Sequence, residues 1–200
     1  MSTLTGLSAR QLQTIERSYG LTQGVSVLDV GCGAGEWVSQ LRRRNLNATG
    51  LDDSSPQSDP AAEGIVRTAI AANLSIPVHS QDVAIIRGTQ VFSAPNSTPE
   101  TTIGLANVLS TIKPGGQLIC AVAEGTEGLW RERLKPFQLD GTLRTCGTGL
   151  LAWLTLAPVL RPGGAVTVLE FRLGAEQKSR LEWHRLAREA VMPRKKPAAA

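Results

Sequence analysis

Apolar and polar positions along this chain switch between a helical period and short β-branched runs. Ser8 and Gln11 form a capping-box pair, and Leu12, Ile15 and Tyr19 recur behind them at helical spacing, which predicts a helix ending near Gly20. The run Val25-Ser26-Val27-Leu28-Asp29-Val30 then breaks at Gly31, the pattern of a buried parallel strand entering a tight turn. Glu36 through Arg44 reads as a helix. Ala48 and Leu51, set around Thr49-Gly50, predict a second strand ending at Asp52-Asp53, with a loop rich in Ser, Pro and Asp through Pro60. Asp82 to Ile86 is a further strand. After the turn-rich stretch Ser93 to Pro99, the residues Ile103, Ala106, Val108, Leu109 and Ile112 form an apolar helical face closed by Lys113-Pro114-Gly115-Gly116, and Gln117 to Ala123 returns as a strand.

Beyond Glu124 the pattern predicts a short helix over Leu129 to Lys135, an apolar stretch from Leu150 to Leu160, a turn at Arg161-Pro162-Gly163-Gly164 and a strand from Ala165 to Arg172. Trp183, Leu186, Ala187, Ala190 and Val191 fit one face of a terminal helix that packs on the core. Strands alternating with helices imply a parallel α/β sheet whose ligands bind beyond the strand C-termini.

With 200 residues and 42% hydrophobic content, one domain is expected, over 1–192. Residues 193–200, which hold Arg194-Lys195-Lys196, read as a basic disordered tail within a net charge of +4. The three cysteines, Cys32, Cys120 and Cys146, are far apart and have no ligand-spaced histidine, which argues against a zinc site or a disulfide framework and fits a cytoplasmic setting. No stretch has the length of a membrane span. His79 and His184 likewise lack a partner at metal-like spacing.

The chemistry concentrates at Asp29-Val30-Gly31-Cys32-Gly33-Ala34-Gly35, a strand-to-helix junction where glycines let the chain turn and a ligand approach without meeting β-carbons. Counting from Gly31, Glu36 occupies the third glycine position of a dinucleotide fingerprint, and its charge opposes a pyrophosphate there. The stretch Val27 to Gly35 resembles the first motif of the Rossmann-like (class I) S-adenosylmethionine-dependent methyltransferases. Thr49-Gly50-Leu51-Asp52 is similar to their second motif, and Leu105 to Ile119 is similar to their later helix, turn and fifth strand.

That resemblance, covering residues 20 to 123, implies a three-layer fold around a mostly parallel seven-stranded sheet with an antiparallel C-terminal strand. It implies that S-adenosylmethionine lies over Gly31, Cys32, Gly33 and Gly35, with Asp29 at the methionine amino group. Asp52, or Asp53 beside it, would accept from the ribose hydroxyls. The acid expected near the adenine amine is missing; Asn73 or a backbone carbonyl stands in for it. Arg87 follows the fourth strand, where the family lines the transfer site. No Asn-Pro-Pro-Tyr or Asp-Pro-Pro-Tyr tetrapeptide occurs there, which points to a small-molecule acceptor rather than nucleic acid. No catalytic residue is singled out, although Glu124 or His79 could act as a base. The absent adenine acid supports the alternative of a non-catalytic module with an impaired cofactor site. Oligomeric state is left open by the sequence.

Overall fold

The structure, a computed structural model, describes residues 7–53, 64–72, 75–139, 141–146, 166–176 and 178–192. The apolar stretch 150–160, the turn 161–164, Asn73 and the basic tail lie outside the described residues.

In chain order the elements are α1 (Ala9–Ser18), β1 (Ser26–Val30), α2 (Glu36–Arg43), β2 (Asn47–Asp52), β3 (Ile65–Arg67) and β4 (Gln81–Ile86). There follow α3 (Gln90–Ser93), α4 (Pro99–Thr111), β5 (Ile112–Ala121), α5 (Glu127–Leu134), a 3₁₀ turn (Lys135–Phe137), β6 (Gly141–Cys146), β7 (Val166–Arg172) and α6 (Arg180–Val191). Among the described residues, seven strands form one sheet in the order β3-β2-β1-β4-β5-β7-β6. The pairs from β3 to β5 are parallel, and β7 runs antiparallel to both its neighbours. This is the mostly parallel sheet with one antiparallel C-terminal strand that the resemblance implies.

Strand alternation divides the core into two layers. Val27, Ala48, Val83 and Ile85 face α1 and α2 in one apolar cluster. Leu28, Val30, Ala84 and Ile86 face α4, α5 and α6 in the other. Helix α4 is buried around most of its circumference because it lies between the sheet and α6. Thr98 caps it by accepting from the Thr101 amide at 3.1 Å, with Pro99 in its first turn.

Two expectations are corrected, and three elements were not foreseen. Ile112 is not on the α4 face; it caps the helix in an extended conformation and opens β5, and Lys113-Pro114-Gly115-Gly116 lies within that strand's span. Lys113 precedes a proline, which disfavours the helical region and ends α4 at Thr111. The short α3 and the strands β3 and β6 carry too few periodic residues to be foreseen, and β6 exists through its pairing with β7. Finally, α6 docks through Arg180, Trp183, His184 and Ala187, while Ala190 is exposed. Its docking face is partly polar: Arg180 donates to Ser110 Oγ at 3.2 Å and to the Ile76 carbonyl at 2.8 Å, bonds that hydrophobic periodicity does not register.

Candidate functional site

The parity that sends Val27, Val83 and Ala48 toward the α1–α2 layer sends Asp29, Arg87 and Asp52 there too, and Arg67 stands opposite Asp52 in the β2–β3 register. Two acids and two arginines thus meet at the C-terminal edge of four adjacent strands. The turn that follows β1 is knitted to this edge, with Gly31 N–H donating to Leu51 O at 2.7 Å and Arg87 N–H to Val30 O at 2.8 Å. Gly31 has φ +86, and a β-carbon there would stand 1.7 Å from the Arg87 carbonyl oxygen. Only glycine suits both conditions.

The acids are already engaged. Arg87 grips Asp29 bidentately, Nε to Oδ1 at 2.8 Å and Nη2 to Oδ2 at 2.7 Å, while the guanidinium lies 5.7 Å from the Trp37 ring centroid. The Arg87 and Asp29 side chains are only 14% and 1% exposed. Burial raises the Asp29 carboxyl above the ordinary carboxylate range, against the opposing pull of Arg87. Asp52 accepts from Gly33 N–H at 2.6 Å and pairs with Arg67 at 3.3 Å. Burial, reinforced by the fields of Asp29 and Asp52, pushes the Cys32 thiol up to about 12. Cys32 is therefore no thiolate nucleophile; its sulfur packs against Gly50, where an added β-carbon would be 2.7 Å away.

Between α1 and the glycine turn lies a cavity of about 260 Å³, lined by Leu12, Cys32, Ala34, Glu36, Trp37 and Arg87 among others. Of the residues expected at the site, Asp29, Gly31, Cys32, Gly33, Gly35, Asp52 and Arg87 converge at this strand edge, and Cys32 and Arg87 line the cavity. Asp53 follows β2, half-buried, and Asn73 is outside the described residues. Glu124 is exposed beyond β5, on the same edge of the sheet. His79 is not near the site. It precedes β4, bonds the Lys178 carbonyl at 2.9 Å, and is separated from Arg87 by the length of a six-residue strand, roughly 20 Å. That excludes it as the base.

Sequence reasoning missed four contributors. Arg67 sits in a three-residue strand with no detectable period, and Trp37 reads only as an apolar helix position. Arg133 is buried and donates to the carbonyls of Phe92 at 3.0 Å, Asn96 at 3.2 Å and Ala94, holding the segment after β4 in place. Asn107 on α4 donates to Ile70 O at 2.9 Å and Ala72 O at 2.8 Å, which fixes the segment after β3. With both its amide protons so committed, Asn107 Oδ1 accepts from His184 Nε2 at 2.7 Å. Burial, with Arg188 and Arg180 nearby, lowers the His184 pKa.

A family model described as a methyltransferase domain matches residues 27–116, the span from β1 through the start of β5. No curated protein matches the chain by sequence. Solved structures share the fold at low identity. A SAM-dependent methyltransferase from Archaeoglobus fulgidus superposes with a TM-score of 0.56 at 16% identity over 82% of this chain and 95% of that one. The 1,6-didemethyltoxoflavin-N1-methyltransferase of Burkholderia thailandensis, crystallised with 1,6-didemethyltoxoflavin and S-adenosylhomocysteine, gives 0.55 at 15% identity over 83% of this chain and 77% of its own. The N-methyltransferase NodS of Bradyrhizobium japonicum gives 0.53 at 16% identity over 82% and 94%.

Proposed function

We propose that this chain, which a methyltransferase-domain model matches over residues 27–116 and whose mostly parallel sheet has the Rossmann-like order, binds S-adenosylmethionine along Gly31–Gly35 and methylates a small molecule. The observation that carries this reading is the convergence of Asp29, Asp52 and the glycine turn at one strand edge beside a cavity large enough for an amino-acid group. The residues suit the cofactor. Asp52 is acceptor-only, with about four lone-pair directions, and can engage vicinal ribose hydroxyls beside its bond to Gly33. The exposed backbone of Gly33 and Ala34 presents no bulk to an adenosyl group. Asp53 is the alternative acceptor for the ribose hydroxyls, and Asn73 or a backbone carbonyl takes the place of the missing adenine acid.

When bound, the cofactor supplies an already activated methyl group, so the protein's contribution is alignment of donor and acceptor. Arg133 and Asn107 serve this by immobilising the segments that flank the open side. The acceptor class rests on the lack of a nucleic-acid tetrapeptide after β4 and on the likeness in fold to one enzyme whose name states a small-molecule substrate. The test is calorimetric titration with S-adenosylhomocysteine, with NAD as control. Asp52→Ala is expected to weaken binding about tenfold or more, the worth of a charge-assisted hydrogen bond.

One observation favours a second reading: both acids are already paired with arginines. A chain that binds neither S-adenosylmethionine nor S-adenosylhomocysteine would be a methyltransferase-like module without catalysis.

A further inference from the structure

We infer that Arg87 makes this site read the carboxylate at the amino-acid end of its ligand and disregard the ammonium. The inference rests on the S-adenosylmethionine reading and narrows it. Asp29 is the acid the resemblance assigns to the ligand's amino group, yet both its oxygens are taken by the Arg87 fork. An ammonium could reach Asp29 only by displacing a bidentate, charge-assisted pair whose members are 14% and 1% exposed. Opening a buried pair costs more than one ammonium–carboxylate contact returns.

The same arginine has capacity to spare on its other side. Guanidinium carries five N–H donors, and Nη1 makes no hydrogen bond to the described residues. Arg87 lines the cavity between α1 and the glycine turn, and the Trp37 face holds the guanidinium plane in place. A carboxylate entering that cavity meets a preorganised cation. The other charged group named in its lining, Glu36, is exposed, so an ammonium set against it gains little over water.

The experiment compares three thioethers by calorimetric titration of the unmodified protein: S-adenosylhomocysteine, its analogue lacking the α-amino group, and its analogue lacking the carboxylate. The deaminated compound is expected to bind within about threefold of the parent, and the decarboxylated one about tenfold or more weaker. A tenfold loss on removing the amino group, or equal losses with both analogues, overturns the inference while leaving the cofactor reading standing. Failure of S-adenosylhomocysteine itself to bind overturns that reading and the inference with it. In Arg87→Gln, checked first for a cooperative thermal transition, the penalty for losing the carboxylate should shrink below about threefold; an unchanged penalty assigns the carboxylate to another group.

Discussion

At Gly31 and Gly33 the same residue type answers different demands. Both have positive φ, but a β-carbon at Gly31 would collide with the Arg87 carbonyl oxygen, whereas nothing lies within 4 Å of one at Gly33. Gly33→Ala should therefore cost about 1–2 kcal/mol for the left-handed backbone alone. Gly31→Ala, with overpacking added, should cost about 2–4 kcal/mol. Urea unfolding of both variants checks the difference, and equal costs would mean that the β1–β4 junction yields easily. The glycines and acids of this site were legible because turn geometry and charge belong to single residues. The state of each acid was not. Asp29 and Asp52 read as ligand acceptors, whereas their immediate partners are Arg87, Arg67 and the Gly33 amide.

Helix α1 was legible from its capping box and periodicity and α2 was read over Glu36 to Arg44, but the tether between them was not. Glu16, 7% exposed, accepts from Trp37 Nε1 at 2.6 Å and from Arg44 at 2.5 and 2.9 Å. Burial would raise its carboxyl, yet the bonds from Arg44 and Trp37 outweigh that and hold it below the ordinary value. A depressed carboxylate contributes stability above its unfolded pKa and loses it as pH falls through the folded one. Glu16→Gln is accordingly expected to cost about 1–3 kcal/mol at neutral pH. The gap to the parent should narrow as pH falls below the ordinary glutamate value of about 4.3 and close only below the depressed folded-state value, where both side chains are neutral. A pH series of denaturant melts tests this; a gap that persists in acid would assign the loss to packing. At this scale the misread elements share a cause: β3 and β6 are strands by virtue of their neighbours, and α6 docks through Arg180 and His184 as well as through apolar residues.

Over the whole molecule, ligand binding and stability are linked, since anything bound only by the folded state adds to its stability. S-adenosylhomocysteine at a hundred times its Kd should add about 2.7 kcal/mol. For a chain of 200 residues that corresponds to a rise in Tm of about 5–10 °C, measurable by calorimetry; no rise at that excess counts against a site formed by folding. What the sequence determined by itself is the alternation of strands and helices, the glycine turn and the identity of its acids. Those signals act over a few residues, through backbone sterics and side-chain period. What only the tertiary structure decided is which charges neutralise which. Arg87 reaches Asp29 across 58 positions, Gly33 reaches Asp52 across 19, and His184 reaches Asn107 across 77. Such partners are set by strand order and register, and these exist only once the sheet has closed.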